Sequence, residues 1–370
     1  MSYIWENKTW PDFVYDSSSV SATLEKLHSE KQMTDIAYSM IDSQTRKQFI
    51  ARNLTDDIVS SLSIEGENID VDSVYSSISK HLELSFTGKS KDNAYAQSII
   101  SMVTDALENN SPLTHERLFS WHTRLFENKA GKKIKAVGAY RPGPEYVMKA
   151  SKQEYEVVYE AVKPESVYKE MERLLAFINS DDGLDPFAKA AIASLWFVLI
   201  HPFEDGNGRI SRAIADYIIS RNQTGSFHAF NISTGILSER NAYYEQIQKV
   251  SINNTSMDIT DWLTWFLNLV TRCIITSREM LRKTLRTTAF MKSLDPNEFN
   301  SREMSMLYKL ADGSFFGKLT TDKWMKMNKC SNTVAFRDIQ HLVQTGFLVP
   351  SNEQGRNAGY FFNDDVQEST

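Results

Sequence analysis

The sequence predicts a mainly helical, all-α protein with a minor β content, and three observations carry that reading. Apolar residues recur at three- and four-residue spacing along most of the chain, as in Val20, Leu24 and Leu27, or Ile210, Ala213, Ile214, Tyr217 and Ile218. Helix punctuation recurs with them: Asp185-Pro186 supplies an N-cap and a first-turn proline, Pro112-Leu113-Thr114-His115-Glu116 opens another helix, and Gly66 stands where a C-terminal cap belongs. Strand-like stretches around Pro/Gly turns are confined to residues 137–148 and 346–362.

The N-terminal residues Trp5, Trp10, Pro11 and Phe13 form an aromatic arm expected to lie across the domain. Helical spacing then runs through Val20, Leu24 and Leu27, and a second helical run reaches from about Asp35 to Leu62, stopping at Ser61 to Asn68. Glu65 is out of place there. A carboxylate in the last turn faces the negative end of the helix dipole, at a cost of roughly 0.3 to 1 kcal/mol unless a cation compensates. Further helices fill 92–128, one of them carrying Leu118, Trp121, His122 and Leu125; a histidine on that apolar side is read as structural. Val137 to Met148 reads as two short strands around a Pro/Gly turn, and Glu165 to Ile178 returns to helix.

The chain is organised around His201-Pro202-Phe203-Glu204-Asp205-Gly206-Asn207-Gly208-Arg209-Ile210-Ser211-Arg212. The apolar run Ala188 to Ile200 reads as a buried helix that must stop at His201, because the residue before a proline disfavours the helical region. A second helix starts near Asn207 and buries the Ile210 stripe, leaving Arg209 and Arg212 three residues apart on what reads as an exposed face. Gly206-Asn207-Gly208 lets backbone amides approach closely at a helix N-terminus, where unpaired donors and the dipole favour an anion, and the two arginines add forked phosphate donors. The loop is suited to a polyphosphate. Asp205 is a hard oxygen ligand of the kind Mg²⁺ prefers, and His201 is a base that can be neutral near pH 7. Each feature alone also has an ordinary structural reading; their ordered string is the signal.

That string matches every fixed position of His-Pro-Phe-x-[Asp/Glu]-Gly-Asn-Gly-Arg-x-x-Arg, and the chain resembles the Fic family on this ground. The resemblance implies a Fic fold and transfer of AMP from ATP to a Ser, Thr or Tyr hydroxyl of a target protein. It assigns His201 as general base and Asp205 as Mg²⁺ ligand. It gives the phosphates to Gly206, Asn207, Gly208, Arg209 and Arg212, and places Tyr244 near the adenosine. Ser61-x-x-x-Glu65-Gly66 resembles the family's inhibitory motif, which implies that Glu65 pairs with Arg212 and blocks the γ-phosphate. Leu118-x-x-Trp121-His122-x-x-Leu125-Phe126 is also similar to Fic sequence. Gly138-x-Tyr140-Arg141 fits the start of a flap, residues 134–149, that holds the target by main-chain hydrogen bonds. Two rival readings remain: transfer of another phosphate-containing group on the same scaffold, and a DNA-binding regulator whose Fic core senses nucleotide.

Beyond the motif, Ile232 to Val250 reads as helix, and Asp258 caps a long amphipathic helix reaching about Arg286 with Trp262, Trp265, Phe266, Leu269 and Val270 on one side. Ser301–Leu310, Thr320–Met327 and Ser331–Thr345 read as three helices, followed by strands at Gly346–Val349 and Gly359–Phe362. That order resembles a winged helix-turn-helix. Lys318, Lys323, Lys326, Lys329, Arg337 and Arg356 outnumber Asp322, Asp338 and Glu353 only modestly, so DNA and a protein partner both stay open. Three domains are expected: 1–90 with the inhibitory motif, 91–292 as the catalytic core, and 297–370 as the C-terminal module.

Composition sets the outer limits. With 370 residues, 41% hydrophobic and 24% charged, the chain has ordinary globular composition, and its net charge of -6 gives no broad affinity for nucleic acid. Met1 to Glu6 has no basic segment leading into an apolar one, and the apolar stretches are broken by His201, or by Asn268 and Arg272, so neither export nor a membrane span is expected. Cys273 and Cys330 lie far apart without CxxC spacing, which argues against a disulfide scaffold or zinc site and fits a cytoplasmic protein. The expected cofactor is Mg²⁺, with ATP as co-substrate; a homodimer is left open.

Overall fold

Aspartate and proline start the central helix of this protein. In the computed structural model, which describes residues 2–84, 93–129, 134–150, 155–221, 230–311, 315, 318–351 and 359–363, the Asp185 carboxylate accepts from the Phe187 and Ala188 amides and Pro186 takes the first helical position. The helix that follows, Pro186–Ile200, is buried all round, as its apolar sequence requires.

Helices α1 to α5 span Ser17–Ser39, Ser43–Ile64, Val71–His81, Ala94–Glu108 and His115–Phe126. Each opens on a side-chain cap, from Asp16, Asp42, Asp70, Asn93 and Thr114 in turn. Strands β1, Tyr146–Ala150, and β2, Tyr155–Glu160, pair antiparallel with an irregularity between Val147 and Met148. Then come α6 (Pro164–Asn179), the central α7 (Pro186–Ile200), α8 (Asn207–Arg221), α9 (Ile232–Ser238), α10 (Arg240–Ser251) and α11 (Thr260–Ser293). Helices α12 (Ser301–Ala311), α13 (Thr321–Asn328) and α14 (Asn332–Gln344) precede the antiparallel pair β3 (Leu348–Pro350) and β4 (Tyr360–Phe362). The fold is mostly helical with small hairpins.

Several boundaries differ from the sequence reading for local reasons. The helical run read from Asp35 onward is broken at residues 40–42, because Asp42 turns its carboxylate to the Thr45 amide and starts a new helix while Ile41 is buried at the joint. The stretch read as helix from Ile232 to Val250 is two helices that meet at Glu239. The hairpin is displaced toward the C-terminus: residues 137–145 are irregular, and the strands lie at 146–150 and 155–160. Pro142 and Pro144 lack the amide a ladder needs, while Arg141 is fixed elsewhere, as described below. Glu353 and Arg356 lie outside the described residues.

The chain divides into two compact units, Met1–Arg278 and Glu279–Thr370. The division falls within α11, ahead of the Asp295-Pro296 turn, because Phe290 and Leu294 already belong to the core of the second unit with Trp324, Ile339 and Leu342. In the first unit α7 packs on α8 and α6, α8 also packs on α4, and α2 packs on α9 and α3. Helix α2 is an integral core element, with Ile58, Leu62 and Ile64 buried. No helix among the described residues is long and apolar enough to cross a membrane.

Candidate nucleotide site

His201 ends α7 in a left-handed conformation, φ 52 and ψ 60. Its Nδ1 lies 3.1 Å from the Val198 carbonyl, an acceptor, so Nδ1 carries the proton and Nε2 keeps a lone pair. Burial, with help from the nearby Arg141 charge, lowers its pKa to about 4, and the ring is neutral at physiological pH.

The turn from Phe203 to Asn207 is closed by one side chain. Asn207 Nδ2 donates to the Phe203 carbonyl at 2.7 Å, and its Oδ1 accepts from the Phe203 amide at 3.0 Å. Asn207 is thereby structural, and its contribution to an anion is its backbone amide. Gly206 adopts φ +86, and a Cβ there would come within 3.2 Å of the Phe126 ring. Asp205 Oδ1 accepts from the Gly206 amide at 2.7 Å and from Arg209 Nη2 at 3.1 Å.

Arg209 and Arg212 are buried, contrary to the exposed face that periodicity alone assigns. Acidic residues beyond the end of α2 cover them. Arg212 Nη1 donates to Glu65 Oε1 at 3.0 Å, Nε to Ser61 Oγ at 3.0 Å, and Nη2 to the Ser61 carbonyl at 2.8 Å. Glu65 is the C-cap of α2, and Arg212 is the cation that offsets the dipole cost of placing a carboxylate there. Gly66 follows with φ +76. The Glu65 carboxylate sits over the first turn of α8: a Cβ on Gly208 would lie 2.2 Å from Glu65 Oε1 and 3.2 Å from Arg212 Nη1. A protein anion therefore occupies the helix N-terminus suited to phosphate. Arg209 is engaged in parallel by Glu67, whose Oε1 accepts from Nη1 at 2.7 Å.

Gly138, Tyr140 and Arg141 are in the loop before the hairpin, and they point inward. Arg141 Nε donates to the His201 carbonyl at 2.7 Å and Nη1 to the Gly143 carbonyl at 2.7 Å, while Nη2 bonds the Val162 and Ile200 carbonyls. It caps the negative end of α7. Tyr140 places its hydroxyl 2.7 Å from His115 Nδ1 and its ring edge-on to Phe119. Both side chains bond within the chain. Tyr244 is 43% exposed and sits edge-on to Tyr243, which packs on Trp262 and Trp265 in the core.

His122 belongs to the site as a brace. It accepts from the Gly138 amide at Nδ1, 2.9 Å, which leaves Nε2 to donate to the Asp205 carbonyl at 3.1 Å. The ring also stacks on Phe203, 4.2 Å between centroids. Glu67, Lys129 and Tyr95 were invisible to sequence reasoning; the Glu65-Gly66-Glu67 repeat of acids was the available signal for the first of them.

A helical core, a helix N-terminus covered by a carboxylate, a neutral histidine and two buried arginines define a site with the chemistry to hold an anion. Comparison with known proteins gives its family. Residues 112–219 match the model of the Fic/DOC family, and residues 3–84 match a domain of unknown function, DUF4172. Residues 112–219 of the chain are thus a Fic domain. Among curated proteins it is similar to protein adenylyltransferase fic-1 of Caenorhabditis elegans, 40% identical over 62 residues, and to that of Caenorhabditis briggsae, 39% identical over 62 residues. Each match covers 16% of this chain and 12% of the relative, so the chain spans only a small part of those proteins. Among solved structures, a Fic family protein from Desulfovibrio desulfuricans aligns with TM-score 0.54 at 15% identity, covering 94% of this chain and 97% of that one. A Fic domain containing signaling protein from Bacteroides thetaiotaomicron aligns with TM-score 0.50 at 20% identity, covering 72% and 96%. These likenesses establish the fold.

Proposed function

We propose that the chain is a protein adenylyltransferase that moves AMP from ATP to a protein hydroxyl and is held silent by Glu65. The supporting observation is the seat of the Glu65 carboxylate, an anion bonded to Arg212 at 3.0 Å over Gly208. Where a carboxylate is stable beside this guanidinium, a phosphate oxygen fits the same donor, with the unpaired amides of the helix N-terminus next to it. In this reading Arg212 takes the γ-phosphate, Arg209 the β-phosphate, and the Gly206 to Gly208 amides the charge between them. His201 Nε2 removes the proton from the target hydroxyl as its oxygen bonds the α-phosphorus; the bond from that phosphorus to the bridging oxygen breaks, and pyrophosphate leaves. A positioned base of this kind contributes roughly 10²- to 10⁴-fold.

Asp205, whose carboxylate lies against the Gly206 amide and Arg209, is the residue that would hold a Mg²⁺ here, since it offers the hard oxygen that ion prefers. Bound there, the ion would neutralise phosphate charge. The test is incubation of the Glu65→Gly chain, in which the Glu65 restraint is removed, with ATP labelled at the α- or the γ-phosphate, followed by a gel for labelled protein. Label from the α position alone supports AMP transfer; label from the γ position makes the chain a phosphotransferase; none from either refutes transfer from ATP.

The unit 279–370 supports a second assignment, a winged-helix recognition module. Its third helix exposes Phe336, 53%, and carries the neighbouring Arg337 outward. A gel-shift against genomic fragments tests DNA as the partner, and retention of free mobility refutes it.

A further inference from the structure

A third cation stands beside the two arginines of the motif, and the reading above leaves it without a task. Lys129 follows α5, and its ammonium bonds Glu67 Oε1, the same oxygen that accepts from Arg209. The other oxygen of Glu67 accepts from the Tyr95 hydroxyl at 2.7 Å. Lys129 Nζ and the Arg209 guanidinium carbon lie 5.4 and 5.2 Å from the centre of the Phe126 ring. That ring is the wall facing Gly206. Two cations therefore gather on one aromatic ring at the edge of the phosphate loop.

Burial opposes the charged form of Glu67, yet the bonds from Lys129 and Tyr95 and the charge of Arg209 outweigh it and hold its carboxyl below the usual range. Glu67 and Asp205 together balance Arg209 and Lys129, two charges against two. An arriving polyphosphate meets a closed, neutral group, and can gain both cations only by taking the place of Glu67. The displacement asks little of the fold, because Glu67 lies beyond the end of α2 and its side chain reaches solvent.

We propose that Lys129 is a further phosphate-binding residue of this site, and that Glu67 is its resident counter-ion, holding Lys129 and Arg209 together until a polyphosphate replaces it. The inference rests on the nucleotide reading above. Phosphate oxygens accept from ammonium and guanidinium alike, so one anion exchanges for another with no net loss of hydrogen bonds.

The test is calorimetric binding of ATP and of inorganic tripolyphosphate to the full chain in a Glu65→Gly background, alone and with Glu67→Gln, Lys129→Met or both. Glu67→Gln should tighten tripolyphosphate about tenfold, the scale of one charge-assisted hydrogen bond. Lys129→Met added to Glu67→Gln, where no carboxylate is left to fall back on Arg209, should weaken it by about tenfold and reduce its salt dependence. Unchanged or weaker binding on Glu67→Gln, or unchanged binding on adding Lys129→Met, overturns the proposal while ATP binding upholds the nucleotide site. A Glu65→Gly chain that binds neither ligand overturns both readings. If Glu67→Gln does not fold, Lys129→Arg decides in the Glu65→Gly background: it must retain the affinity that Lys129→Met loses, and equal affinities refute the role.

Discussion

Replacing Glu65 with glycine should switch the enzyme on, and the structure sets the size of the effect. Arg212 makes three bonds to the end of α2, of which Glu65 accepts one and Ser61 accepts two. Glu65→Gly therefore uncovers Nη1 while Nε and Nη2 stay tied to Ser61, so the arginine is freed for phosphate without losing its position. A charge-assisted hydrogen bond contributes roughly 1.5 to 3 kcal/mol, and the solvent access of Glu65 favours the lower figure. At about 1.4 kcal/mol for each factor of ten, transfer should rise about tenfold to a hundredfold. The cost to the fold is small, because Glu65 lies past the last helical residue, where glycine carries little penalty. The assay is the initial rate of protein labelling from α-labelled ATP, with melting temperatures of both forms compared. Equal rates from two equally folded proteins would refute the argument and return Ser61 and Glu65 to an ordinary helix end.

His201→Ala should retain ATP binding and lose transfer; because the pKa of His201 is about 4, the wild-type rate attributable to this base should be level from pH 6 to 8, and a step there would assign the base elsewhere. Asp205→Ala should lower transfer severely and recover partly at raised Mg²⁺, whereas equal wild-type activity in chelator and in Mg²⁺ would remove the metal from the scheme. His122 is fully buried, and burial lowers its pKa from 6.5 to about 4. The folded chain thus keeps His122 neutral where the unfolded chain takes up a proton; its contribution is complete above pH 6.5 and is lost as pH falls toward 4, by up to ~3 kcal/mol in denaturant titrations. A chain ending at Arg278 should melt cooperatively, while one ending at Pro296 should aggregate more readily, because Phe290 and Leu294 would lose the core that covers them; light scattering of the two separates these outcomes.

The motif was legible because its chemistry is local. The His201 turn, the start of α8 and the close amides of Gly206 to Gly208 all follow from twelve consecutive residues. The burial of Arg209 and Arg212 was not legible from the periodicity of their helix, since the carboxylates that cover them lie 142 and 147 residues away. The bounds of the hairpin were not legible for the opposite reason. Pro142, Gly143 and Pro144 look like a hairpin turn, but Arg141 is committed to carbonyls at Val162, Ile200 and His201, which hold the stretch irregular and push the strands downstream. His122 reads as structural from its apolar helix face, but the sequence could not show that it joins the Gly138 amide to the Asp205 carbonyl.

Gly208 closes off one evolutionary route to an enzyme that is always on. A larger residue at 208 would evict the Glu65 carboxylate, since even a Cβ would stand 2.2 Å from it. On the function proposed above, the same Cβ would fill the space a phosphate enters, so a mutant that escaped the restraint at this position would forfeit its substrate with it. Release without loss has to come from the other side of the contact, in the few residues after Leu62. A lineage under selection for constant activity should therefore vary at 65 and 67 and keep glycine at 208.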